Sequence, residues 1–175
     1  YQFLKILKIN KKLTISEIGL IGIIYLGIIS LSINFILPLT QIINTLILIV
    51  ILILLFFQKI FKIIELNKIL LGCLNVSIIA TIFLAYSKSY TPDAFLYHLP
   101  YTNLINDYKI IPGSYLVHFR FGHISILQYV NAFFNNILLG INGITFVISL
   151  ILSFFLVYII SELHIILKKI KKLIF

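Results

Sequence analysis

The sequence predicts an all-α fold: a polytopic membrane protein with four transmembrane helices and one polar extracytoplasmic loop containing short helices. Three observations predict it. Hydrophobic residues make up 61% of the chain and its mean hydropathy is +1.15, whereas soluble domains are about 45–50% apolar. Four apolar stretches are long enough to cross a hydrocarbon core, which needs about 20 residues. The basic residues gather in alternate gaps between those stretches, as they do in multi-pass proteins.

The spans fall near 17–37, 39–57, 69–87 and 143–163. Only Leu37-Pro38-Leu39-Thr40 separates the first two, so they form a helical hairpin. The first span follows a basic stretch, as a signal peptide would. It has no A-x-A cleavage site and is too long for the apolar core of a signal, so it is read as retained. Lys5, Lys8, Lys11 and Lys12 precede the first span, and Lys59, Lys62 and Lys68 lie between the second and third. Lys168, Lys169, Lys171 and Lys172 follow the fourth. Eleven of the 14 basic residues therefore share one side, and an excess of Lys and Arg marks the cytoplasmic side. Both ends of the chain are predicted to be cytoplasmic, with residues 88–123 facing outward. This topology accounts for the formal charge of +9, so the expected partner is the lipid bilayer and not nucleic acid. The single Cys73 excludes an internal disulfide. The lack of an initial Met, and an end just after KKIKK, predict the N-terminal part of a longer protein.

Residues 124–139 have helical periodicity. Ile126, Leu127, Val130, Phe133, Phe134, Ile137 and Leu138 fall on one face, and Gln128, Asn131 and Asn135 on the other. Two readings remain open. The segment lies in the interface plane beneath a site, or it is the polar-flecked start of the fourth span.

Ionisable groups concentrate in the 88–123 loop, which holds Asp93, Asp107, Arg120, His98, His118, His123 and Lys88. Such a loop between hydrophobic spans is where chemistry or recognition is expected. Thr91-Pro92-Asp93 reads as a helix start, with a cap, Pro at the first position and an acid in the first turn. Tyr97 then lies one turn from Asp93, with His98 beside it. Asp93 either complements the helix dipole or serves as a general base. Arg120 sits between two Phe, where a guanidinium grips phosphate bidentately or simply snorkels at the interface. His118 and His123, with Asp93 or Asp107, are ligand types for a divalent cation. Their spacing of five fits neither a helix face nor a zinc pattern, so no metal site is assigned. There is no Gly-rich phosphate loop, no G-x-S-x-G elbow and no Cys/His nucleophile pairing.

The runs D-A-F-L-Y-H-L-P (93–100), N-D-Y-K-I-I-P-G (106–113) and H-F-R-F-G-H-I-S (118–125) together resemble a group of large bacterial membrane proteins. Those are similar in turn to GT-C glycosyltransferases. The flanking spans match only in hydropathy. The resemblance implies a multi-pass enzyme of the bacterial inner membrane. It would use a polyprenyl-phosphate sugar donor and a hydroxyl acceptor, such as a glycan, in cell-envelope assembly. Asp93 is then the implied catalytic base, with Arg120 and Lys88 on the departing phosphate. Tyr97, His98, Asp107, His118 and His123 are the remaining substrate-binding candidates. In typical members this loop follows the first span, whereas here it follows the third, and Asp107 is the only candidate for a second carboxylate. A transporter or flippase for lipid-linked glycans is the rival reading. The spans have no interior charge, with Asn34, Asn44 and Asn75 as polar interruptions, which counts against transport. A structural membrane subunit is the third reading, and it would not need so dense a polar loop.

The predicted topology has a direct test. In a Cys73→Ser background, cysteines replacing Ser89 and Ser114 should react with an impermeant maleimide in intact cells, and one replacing Asn67 should not. Reversed labelling overturns the orientation.

Overall fold

The computed structural model describes residues 13–57, 72, 75–80, 82–83, 93–122 and 125–174. Among the described residues every regular element is helical and no strand occurs. Helix α1 is Ile15–Asn34 and begins on a capping box. The Glu17 N–H donates to Thr14 Oγ1 at 3.3 Å, and Glu17 Oε2 accepts from the Thr14 N–H at 2.7 Å. These contacts satisfy two backbone donors that a helix start leaves free. Helix α2 is Gln41–Phe57. After a π-helical turn at Ala94–His98, helix α3 runs Leu99–Asp107. Two 3-10 turns follow, Ser114–Leu116 and Phe119–Gly122. Helix α4, Ile126–Phe134, has its own capping box between Ser125 and Gln128. Helix α5 is Gly143–Ile174.

Among the described residues two helices are long and apolar enough to cross a membrane, Ile15–Asn34 and Gly140–Leu167. They correspond to the first and fourth predicted spans. Helix α5 runs past the expected end at 163 and continues through Lys168 and Lys169, because Leu, Ile and Lys are all compatible with helix. Helix α2, at 17 residues, matches the second predicted span in position. Of the third predicted span, residues 72, 75–80 and 82–83 are helical and the rest lies outside the described residues. The Ser77 and Ser153 hydroxyls, 2.6 Å apart and buried, join that segment to α5. The lysines at 5–12 and 59–68, on which the orientation rests, also lie outside the described residues.

Helix α4 sits at the centre, against α1, α3 and α5. A Cβ on Gly27 would come within 2.8 Å of Ile126 and 2.9 Å of Val130, so glycine there permits close approach of α1 and α4. At Gly143 a Cβ would collide with the Phe134 carbonyl, which fixes how α5 leaves α4. Ile23, Val130, Val147 and Phe154 form one core, and Leu39, Tyr101, Ile105, Tyr129 and Ala132 the other.

The second core is organised by asparagines. A helix leaves its last carbonyls without intrahelical partners, and in α3 and α4 these orphans point at the α1–α2 turn. Asn106 Nδ2 donates to the carbonyls of Leu39 at 2.6 Å and Ala132 at 2.9 Å. Asn44 Nδ2 faces the same two carbonyls at 2.8 Å each, and that of Asn135 at 3.0 Å. Asn34 Nδ2 meets the carbonyls of Ile105 at 3.1 Å and Tyr108 at 3.0 Å. Asn135 Nδ2 donates to Asn106 Oδ1 at 2.9 Å, and Gln41 Nε2 to Asn135 Oδ1 at 2.9 Å.

This network corrects the reading of 124–139 as one amphipathic helix. Helix α4 stops at Phe134 because Asn135 leaves helical geometry and turns its amide toward Asn106. Gln128 and Asn135, on the polar face of the pattern, are buried, whereas Ile137 and Leu138, on its apolar face, are exposed.

Replacing Asn106 with Leu strips one donor from two buried carbonyls. It should destabilise the fold by about 1–3 kcal/mol, read as a lower unfolding midpoint in detergent. Asn103→Ala, on the exposed face of the same helix, should leave the midpoint within error. Equal midpoints for the two variants would mean that the network does not stabilise the fold.

Candidate functional site

The polar loop brings two of its charged residues together. Asp93 is helical and directly precedes the π-helical turn that continues into α3. Pro100 lacks an N–H and its ring disfavours the preceding α-helical turn. The wider π turn at Ala94–His98 lets the chain remain helical through that proline, and such π turns are frequent at functional sites. Twenty-seven residues on, the 3-10 turn Phe119–Gly122 returns Arg120 to this helix. Arg120 Nη1 donates to Asp93 Oδ1 at 2.7 Å.

Aromatic groups frame the pair. The guanidinium carbon lies 4.5 Å from the Tyr97 ring centroid and 5.6 Å from that of Phe119. The rings of Tyr97 and His98 are 4.1 Å apart. His118 stacks on Phe119 at 5.2 Å, and its Nδ1 accepts from the Arg120 backbone N–H at 3.3 Å. Phe121 rests on Tyr101 at 5.3 Å, which anchors the turn to the second core.

The side chain of Asp93 is 58% exposed and that of Arg120 is 36% exposed. An ion pair this open contributes about 0–1 kcal/mol, and an exposed cation–π contact about 0.5–1 kcal/mol. An anion with two oxygens for the guanidinium fork can therefore compete for Arg120. Asp93, Tyr97, His98, His118 and Arg120 lie near one another, with Asp93 and Arg120 in direct contact. Asp107 does not join them. It is exposed at the far end of α3, and no hydrogen bond or ion pair ties it to Asp93 or Arg120. Lys88 and His123 lie outside the described residues. Among the described residues no group of three His, Cys, Asp or Glu is placed to hold a metal ion.

Phe119, Phe121, Tyr101 and Tyr129 went unassigned in the sequence. The two Phe were visible as neighbours of Arg120, but no local signal pairs Phe121 with Tyr101. Burial pushes the Tyr101 phenol well above its ordinary value, and the neighbouring Tyr129 adds to this. Tyr129 is also raised by burial, partly offset by its hydrogen bond with Tyr101.

The chain belongs to the family described as Domain of unknown function (DUF8201), which matches residues 1–175. No curated protein and no solved structure matches it.

The tyrosines beneath the site make stability depend on alkaline pH. A phenol raised by folding contributes stability that is fully present below its ordinary value of 10.0 and lost as pH rises above it. The unfolding midpoint should fall past about pH 10, and the fall should be shallower in Tyr101→Phe. Identical pH profiles for the two proteins would exclude Tyr101 as a source of the dependence.

Proposed function

We propose that the chain forms the donor site of a GT-C-like glycosyltransferase in the bacterial inner membrane. It transfers a sugar from a polyprenyl-phosphate donor to a hydroxyl acceptor during cell-envelope glycan assembly. The observation that carries this reading is the open Asp93–Arg120 pair beside Tyr97. It brings one carboxylate and one guanidinium together, which supports a reading that needs a base beside a phosphate ligand. A bilayer setting is supported by the outward faces of α2 and α5, where Leu46, Ile49, Val50, Ile53, Phe155 and Ile160 are exposed.

In this reading Arg120 changes partner when the donor binds. The donor phosphate takes the guanidinium bidentately, and Asp93 loses its ion pair and becomes free to act as a base. The acceptor hydroxyl then gives its proton to Asp93 as its oxygen bonds to the anomeric carbon. The bond from that carbon to the phosphate oxygen breaks, and the electron pair leaves with the polyprenyl phosphate. Arg120 stabilises that developing charge, and preorganised charge of this kind is often the largest catalytic effect. Tyr97 holds the guanidinium plane during the exchange, and Lys88 is a second candidate for the phosphate. A divalent cation is not required by this scheme. In this reading both ends of the chain are cytoplasmic and the site faces outward, an orientation supported by the distribution of Lys and Arg along the sequence.

Asp93→Asn keeps the volume of the side chain but cannot accept the proton. Transfer from polyprenyl-phosphate sugar in membranes should fall by on the order of 10²–10⁴ at equal expression. Arg120→Lys keeps charge without the fork and should weaken donor use, with Arg120→Ala weaker still. Normal transfer by the Asp93→Asn protein would leave the pair as a structural clasp and remove the enzymatic reading.

A further inference from the structure

We propose that the segment 111–119 is inserted edge-on into the outer headgroup region of the bilayer, so that Arg120 sits at the depth of lipid phosphates. The inference rests on the membrane setting of the proposed function. Its level in the fold is set by Asn34, the last residue of α1, a helix long enough to span. The Ile110 N–H donates to the Asn34 carbonyl at 3.0 Å, and Asn34 Nδ2 donates to the Tyr108 carbonyl at 3.0 Å. The segment therefore leaves from the point where α1 ends, and a helix that spans ends at the membrane surface.

The side chains there do not suit water. Leu116 is 77% exposed, Val117 84% and Phe119 68%, with Ile111 and Tyr115 also exposed. Moving such side chains out of water is favourable in proportion to the apolar area removed, and several of them lie together on this loop. The loop's backbone can enter the interface because it is largely paired within itself. Leu116 N–H donates to the Gly113 carbonyl at 2.9 Å, Val117 N–H to Ser114 at 3.1 Å, and Phe121 N–H to His118 at 2.8 Å. Unpaired backbone groups are what usually keep irregular chain out of lipid. Gly113, at φ 79°, makes the reversal that brings these side chains to one edge. Lys109 and Arg120 flank the segment, complementary to headgroup phosphates, and Tyr115 is a residue type enriched at this depth. The same apolar character continues on the α1–α2 turn, where Phe35, Ile36 and Leu37 are exposed. The occupant of this edge is lipid, and the consequence is that Arg120 meets a membrane-borne phosphate without lifting it from the bilayer.

The chain has no Trp, so single-tryptophan variants report depth without background. Leu116→Trp and Val117→Trp are reconstituted in phosphatidylglycerol-containing vesicles, carrying a spin label either near the headgroup or deep in the acyl chains. Both should emit at shorter wavelength than Asn103→Trp and be quenched more by the shallow label than by the deep one. Val50→Trp, on the lipid-facing side of α2, should be quenched more by the deep label. If Val50→Trp is quenched and the loop tryptophans respond only to aqueous iodide, the loop is in water and this inference fails alone. Loop tryptophans shielded from both quenchers would mean that protein covers the edge, which also overturns it. If Val50→Trp is untouched by either lipid label, the membrane setting fails and this inference falls with it.

Discussion

Three asparagine amides hold the fold together. Asn34, Asn44 and Asn106 aim their Nδ2 groups at carbonyls that helix ends and a tight turn leave without partners. A carbonyl buried without a donor costs about as much as a lost hydrogen bond. The Leu39 and Ala132 carbonyls receive two amides each. Each of these side chains joins segments far apart in sequence, so the turn after α1, the end of α3 and the end of α4 can only be satisfied together. The orientation of the amides follows from the same argument: an oxygen in place of Nδ2 would face two or three carbonyl lone pairs.

From this clamp the site follows by rigid connection. Fixing the end of α3 fixes its direction, and with it the π turn and Asp93 at the opposite end. Fixing Tyr101 and Tyr129 in the core provides the seat for Phe121, and Phe121 places the turn that carries Arg120. The charged pair itself is weakly held. A firm base under an exchangeable contact is what a binding site needs: the geometry is preorganised, but the guanidinium remains available to a better anion.

Outside the clamp the distribution of polarity is inverted relative to a water-soluble bundle. Ser16, Ser30, Ser77, Ser149 and Ser153 are buried between helices, and large aliphatic side chains cover the outer faces. Ser30 and Ser149 return their hydroxyls to carbonyls four residues back, at 2.9 Å each, so burying them leaves no donor unpaired. Small hydroxyl residues inside and branched apolar residues outside are the pattern expected when the surroundings are as apolar as the core.

The sequence by itself determined what depends on local composition. Hydropathy over a window located α1 and the greater part of α5, because each long apolar run must become a helix wherever its backbone cannot meet water. Clustered ionisable residues located the loop, and the four-residue spacing put Tyr97 one turn from Asp93. Tertiary structure alone decided the rest. Asn34 and Asn44 were visible as polar interruptions, yet their partners lie 71 to 91 residues away, at Ile105 and Asn135. The helical pattern over 124–139 could not reveal its break at Asn135, whose amide donates to Asn106, 29 residues away. Arg120 likewise carried no local sign that it would pair with Asp93. Periodicity reports which face of a segment is apolar, but the partner of a side-chain hydrogen bond or an ion pair is set only when the chain returns to it.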